Sequence, residues 1–424
     1  MYERFINSVS RILKVDAGYF FRNGFWVSFR YVFVSVIGIA TTVIFTRMAS
    51  QEVYGAYQYI LSFVAFLSFL SLPGMNISAL RSVVKGSSTA VFEAMRWSFF
   101  SALIGMPCIL AYGFYHSDSQ EIPLGALLFV AAAFAPFYAF NTWYVFYEGR
   151  RDFFSVAWRS ILVSGISFLA LWMALSTEAS LTVLVATYFL TNMLLSVGFS
   201  IEIWLHSKKD RLYEAVSVDN ELDIYYGFSV TGQKFIFSVS ETLPLIIIGF
   251  FYGFAEVAVF QVAFFMYSSV SGYIGAIASM YLPKFFSGIH LDGWRMVLYN
   301  LLPGIFIIFG ISVFLSTVFP VLFDDRYASS AEIVWLLLPA VLLLPLKSYL
   351  ATHFTADKKV SVVTSVYTLA NVAAVLAFAL THETLGVFTA GAFYVNTFVV
   401  TVTIGLLVVY FYSFSRDSRK IDSI

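Results

Sequence analysis

Long charge-free stretches alternate with short polar ones along this chain. Eight windows contain no Asp, Glu, Lys or Arg: 53–80, 97–117, 122–147, 179–201, 257–283, 296–323, 360–381 and 384–415. Four more, 23–46, 153–177, 224–255 and 333–356, are equally apolar but enclose isolated charges. A helix needs ~20 mostly apolar residues to cross the hydrocarbon core of a bilayer. The pattern therefore predicts an all-α membrane protein of twelve transmembrane helices. The ~10-residue alternating segments of a membrane barrel are missing from the pattern. Pro107, Pro136, Pro303, Pro339 and Pro345 lie inside the windows. Their freed backbone groups need neighbouring helices or water, which predicts kinks in a packed bundle.

Composition agrees with the pattern. Of the 424 residues, 60% are hydrophobic and only 12% charged, and Lys+Arg (25) balances Asp+Glu (25). That excludes a soluble enzyme and a nucleic-acid binder working through a basic surface. The single cysteine, Cys108, allows no intrachain disulfide and no four-thiolate metal site. The positive charges give an orientation. With the N-terminus in the cytoplasm, 19 of the 25 Lys and Arg residues fall on cytoplasmic segments, 2 (Arg47 and Arg326) on outer loops, and 4 inside spans. This asymmetry predicts cytoplasmic N- and C-termini. Residues 1–22 carry Phe5, Ile6, Val9, Ile12 and Leu13 near helical spacing, which predicts an amphipathic segment on the cytoplasmic face and no cleavable leader.

The chain resembles itself at a nearly constant interval. Tyr57-Gln58 aligns with Phe260-Gln261 at an offset of 203, Arg30 with Lys234 at 204, Arg81 with Lys284 at 203, and Arg151 with Lys358 at 207. The offsets predict two six-helix bundles, 23–205 and 227–413, joined by a polar cytoplasmic linker at 206–226 and followed by a cytoplasmic tail at 414–424. Six is even, so the pseudo-two-fold axis would run along the membrane normal, as in parallel-repeat transporters.

Ionised side chains in a span are expensive and mark functional sites or snorkelling groups. Arg30, Arg159, Lys234 and Lys347 stand one apiece on spans 1, 5, 7 and 10. At ~1.5 Å per residue each lies roughly 10–17 Å in from the nearest cytoplasmic charge. Their matched depth predicts a cationic cavity that attracts an anion, and the arginine fork suits phosphate. Glu241 reads as the one acid deep in a span, on the same face of the seventh helix as Lys234. It is a candidate for coupling to H+ or Na+; a structural ion pair is the other reading. Asn76, Asn141, Asn192, Gln233, Gln261 and Asn371 are polar candidates for the cavity or for interhelical hydrogen bonds. No GxxxxGK[ST], HExxH or GxSxG pattern occurs, so the chain carries no sign of its own ATPase or of hydrolytic chemistry.

Residues 47–86, RMASQEVYGAYQYILSFVAFLSFLSLPGMNISALRSVVKG, resemble the opening of the polysaccharide-biosynthesis and O-antigen flippases, members of the multidrug/oligosaccharidyl-lipid/polysaccharide exporter superfamily. Glu52, Tyr54, Gly55, Tyr57, Gly74, Asn76 and Arg81 occupy the family's places, and 249–265 with Leu282-Pro283 resemble its second-half counterpart. Ala258 stands where glycine is usual. The resemblance implies a non-enzymatic transporter in the bacterial inner membrane. It would move an undecaprenyl-pyrophosphate-linked oligosaccharide between leaflets by alternating access, without a cofactor, in company with membrane lipid, a glycan polymerase and a chain-length regulator. The pyrophosphate would meet Arg30, Arg159, Lys234 and Lys347. A multidrug/cation antiporter of the same fold is the alternative, and it should place acids inside the first six spans, where the windows show none. A glycan polymerase or ligase should have a long outer loop, and the outer loops here are short. A sugar transporter of the major facilitator type should carry a basic Asp-Arg-x-Gly motif where residues 79–86 read ALRSVVKG.

Overall fold

A computed structural model of the protein describes residues 17–115, 122–211, 222–279, 293–357 and 359–421. The described residues form helices and no strands, and they contain twelve helices long and apolar enough to cross a membrane. All twelve coincide with the predicted windows. The protein is a multi-pass membrane protein. Residues 1–16 and the centre of the 206–226 linker lie outside the described residues. The helix Ala17–Met48 runs through residues 17–22 into the first span without a break.

Most spans reach past the limits of their windows, and two of these extensions bear on the site. The fourth extends to Gly149 and so includes Glu148, and the sixth extends to Ser207 and includes Glu202. Charged residues set the limits of the charge-free windows, so acids within these last turns fall outside them. Glu241 is therefore not the one acid in the spans, and the first six spans are not free of acids.

Three of the early spans are broken. The second runs Gln51–Leu67, tightens into a 3-10 turn at Ser68–Ser71, and resumes as Gly74–Val84. Pro73 disfavours helical geometry in the residue before it, and Leu72 turns left-handed at φ 54°. The third span breaks between Ala102 and Gly105. The fourth breaks at residues 141–143, between Leu124–Phe140 and Tyr144–Gly149. Elsewhere prolines stay inside continuous helices, as Pro339 does in Ala328–Ala356. There Asn396 of the twelfth span inserts its side chain, donating to Leu336 O (2.7 Å) and accepting from Ala340 N (2.9 Å). A neighbour thus satisfies backbone groups that a proline disturbs.

Packing divides the chain into two compact units. One comprises 29–249 and 253–258, and the other 1–28, 250–252 and 259–424. By this measure the seventh span, Ile224–Tyr252, packs with the first six, whereas the repeat analysis grouped it with the last five. Glycines account for the closeness. A β-carbon on Gly74 would sit 2.0 Å from Gly227 O, and one on Gly249 would sit 2.2 Å from the Tyr59 ring. Small residues let helix backbones approach where lipid supplies no hydrophobic drive.

Candidate functional site

The breaks in the second and fourth spans gather polar groups within the first unit. Its apolar foundation includes Met75, Ala79, Val83, Val91, Trp143, Phe146 and Phe199, all buried. On this base the interrupted second span leaves backbone groups without helical partners. The seventh span supplies them. Gly74 N donates to Thr231 Oγ1 (3.0 Å), and Lys234 Nζ donates to Pro73 O (3.3 Å). Thr231 and Lys234 are three apart, so they share a helix face.

Glu148, in the short helix that ends the fourth span, is the centre of the cluster. It accepts from Arg30 Nη1 at 3.4 Å, and it also lies within electrostatic range of Lys234. Around it, Thr142 Oγ1 donates to Asn76 Oδ1 (3.2 Å), and Asn76 Nδ2 reaches toward Tyr144 OH (3.5 Å). Two cations thus lie within electrostatic range of one carboxylate, leaving formal positive charge. The Arg30 and Glu148 side chains keep 21% and 25% of their exposure, so the pair is half-buried and reachable. An anion can compete for Arg30 without first opening a sealed core.

The contacts of the four predicted cations fall in different places. Glu148 links Arg30 and Lys234. Arg159 lies apart from them, in the contact between the fifth and sixth spans. It is 5% exposed, pairs with Glu202 through Nη2, donates to Ser155 O (3.1 Å), and rests against the rings of Tyr147 and Trp158 at 4.2 and 4.5 Å. A guanidinium so enclosed holds two helices together. Lys347 belongs to the other unit, buried in the tenth span with Nζ 5.7 Å from the centre of the Phe398 ring. Glu241 is at mid-span as expected, but its side chain is exposed and not buried. Asn192 takes the interhelical role, donating to Ser167 Oγ at 3.0 Å.

Sequence reasoning missed Glu148, Thr142, Tyr144, Thr231 and the Pro73 carbonyl. The broken fourth span was detectable in principle, since Glu148 follows the aromatic run Trp143-Tyr144-Val145-Phe146-Tyr147 with no turn residue between. The separation of roles gives a prediction. Arg159→Ala removes a nearly buried ion-pair partner and its ring contacts. It is expected to destabilise the protein by about 2–3 kcal/mol, less than the ~3–5 kcal/mol for a fully buried pair because Glu202 retains solvent. Thermal unfolding in detergent measures this. An unchanged midpoint would contradict the structural role.

No family model matches the chain, and no curated protein matches it. Solved structures do match. A transporter of the MOP superfamily from Pyrococcus furiosus, whose description reports reversed polarity of its binding pocket, is 12% identical with a TM-score of 0.64, covering 94% of this chain and 95% of that one. The eukaryotic MATE transporter AtDTX14 is 14% identical with a TM-score of 0.60, over 92% and 96% of the two chains. An inward-facing multidrug-resistance MATE transporter is 12% identical with a TM-score of 0.61, over 88% and 93%. Over nearly its whole length, then, this chain has the twelve-helix, two-bundle fold of the MATE transporters of the MOP superfamily.

Proposed function

We propose that the protein is a flippase of the bacterial inner membrane that moves an undecaprenyl-pyrophosphate-linked glycan from the inner to the outer leaflet by alternating access. The observation that carries this reading is the excess of cations at the broken helices: Arg30 pairs with Glu148 at 3.4 Å, and Lys234, bonded to Pro73 O, adds a second cation within electrostatic range of the same carboxylate. A doubly phosphorylated headgroup can replace Glu148 as the partner of both. Arginine gives it two parallel hydrogen bonds and lysine a point charge. The fold supports transport in general, and the sequence resemblance supports this cargo in particular.

The multidrug/cation antiporter reading gains one specific observation. Acids do occur inside the first six spans, and Glu148 is half-buried beside Lys234. Glu148 is nonetheless outnumbered, and a lipophilic cation would face net repulsion there.

The purified protein in detergent discriminates the two. Saturable binding of undecaprenyl pyrophosphate, displaced by inorganic pyrophosphate, with no binding of tetraphenylphosphonium, is the expected result. Binding of tetraphenylphosphonium alone would overturn the flippase reading in favour of the antiporter.

A further inference from the structure

We propose that a groove among the eighth, ninth and tenth spans holds one anionic membrane phospholipid, with an acyl chain in the groove and the phosphodiester at Arg295. These spans are Phe254–Ala278, Trp294–Thr317 and Asp325–Thr355, and the residues that line the groove all fall within 259–424, the larger part of one compact unit. The groove measures about 540 Å³. Ile274, Ala278 and Tyr349 make a buried floor, and Tyr299, Leu302 and Phe306, at 61%, 48% and 74% exposed, make an open rim. On a membrane-spanning helix an exposed rim faces lipid.

The sequence leaves this groove unfilled. The ninth and tenth spans touch closely at one point, where a β-carbon on Gly304 would lie 2.5 Å from Leu342 O. Close to these residues in the chain, Pro303 and Pro345 line the groove. A proline side chain is closed into a ring on its own backbone, so it cannot swing out to fill a gap as a leucine would. Asn300, also in the wall, donates to Met296 O (2.8 Å) and so turns back onto its own helix. The remaining wall is mostly hydrocarbon and aromatic ring. A hydrocarbon chain supplies the dispersion contacts that an unfilled gap forfeits.

The rim continues into headgroup chemistry. Arg295, Tyr299, Leu302 and Phe306 follow one another at intervals of four, three and four residues, so they form one stripe along the ninth helix. At ~1.5 Å per residue the stripe runs ~16 Å into the bilayer. Arg295 is the second residue of the span, is exposed, and has no acid partner among the described residues. The exposed Trp294 beside it marks the level of the interface, where indole rings collect. A phospholipid has the same order of parts: a phosphate for the guanidinium fork, an ester region for the Tyr299 hydroxyl, and a chain for Leu302 and Phe306. Charge then selects the lipid. One guanidinium balances the single negative charge of a phosphodiester and repels the ammonium of a zwitterionic headgroup. It does not balance the pyrophosphate of the proposed cargo, so the occupant is a resident membrane lipid.

The test adds phosphatidylglycerol with a photoreactive diazirine in one acyl chain to the full-length protein in detergent, irradiates the mixture, and maps the adducts by mass spectrometry. Adducts are expected on 273–278, 299–307 and 345–349, in clear excess over the exposed faces of the first and fifth spans. Unlabelled phosphatidylglycerol should displace the probe about fivefold more effectively than phosphatidylcholine with the same chains, the preference that one arginine near the membrane surface gives an anionic lipid. In Arg295→Gln that preference should fall to near one while the adducts stay in place. In Leu302→Trp, which fills the groove from its rim, adducts should fall about tenfold, the loss expected when roughly two methylenes of the chain are excluded. An unchanged unfolding midpoint confirms that each variant is folded. Adducts spread evenly over the lipid-facing helices, adducts that persist in folded Leu302→Trp, or a preference that survives Arg295→Gln would each overturn the site. Stronger displacement by undecaprenyl pyrophosphate than by phosphatidylglycerol would give the groove to the cargo and overturn the resident lipid.

Discussion

The double variant Arg30→Ala/Lys234→Ala is expected to lose binding of undecaprenyl pyrophosphate by ~10²–10⁴-fold, the largest functional effect the site implies. Each cation offers a charge-assisted hydrogen bond, worth ~1.5–3 kcal/mol in a partly buried setting. At about 1.4 kcal/mol per tenfold, each single variant should cost ~10–100-fold. The pair shares Glu148, so the two losses need not add. The variant also reverses the sign of the cluster, leaving Glu148 as its remaining charge. It should therefore bind tetraphenylphosphonium measurably where the wild type does not. Glu148→Gln works in the opposite direction, since it frees both cations and should tighten pyrophosphate binding. Titrations of the three proteins at one fixed ionic strength measure all of this. A double variant that binds undecaprenyl pyrophosphate within threefold of wild type would remove the cationic site from the mechanism.

The outline of this protein was legible because the bilayer imposes it. Lipid offers backbone groups no partners, so twelve long apolar stretches had to be twelve helices. The interior of the site was harder to read, for separate physical reasons. The break at Leu72-Pro73 depends on what receives the liberated groups, and those receivers, Thr231 and Lys234, lie more than 150 residues further on. The hydropathy pattern runs through the break without interruption. Arg159 looked like its fellow cations at equal depth, yet Glu202, 43 residues away, claims it. Depth along a helix was readable, but azimuth and partner were not. Glu241 illustrates the same limit, at mid-span as the spacing required but on an exposed face. Glu148 lies at the end of a charge-free window, where a charge reads as the start of a loop and not as part of the last helical turn. The seventh span's approach to the second was signalled by glycines at 74, 227 and 249.

Those glycines give the sharpest structural prediction. Gly74→Ala adds one methyl group at the point where the resumed second span meets the seventh. Its β-carbon would lie 2.0 Å from Gly227 O and 2.5 Å from Thr231 N, both backbone atoms that cannot rotate away. The seventh helix must then shift outward, and the bonds from Gly74 N to Thr231 and from Lys234 to Pro73 O move with it. Overpacking typically costs ~1–3 kcal/mol, and more where backbone must yield, so a loss of about 3 kcal/mol or more is expected, together with weakened pyrophosphate binding. Gly232→Ala is the matched control. It lies on the same seventh helix, yet nothing stands within 4 Å of the position its β-carbon would take. Removing a glycine from a helix interior there should leave stability unchanged or raise it by up to ~1 kcal/mol. Unfolding midpoints of the two variants in the same detergent decide the matter. Equal midpoints would mean that the second and seventh spans do not meet at Gly74, and the carbonyl on which Lys234 is anchored would lose its place in the site.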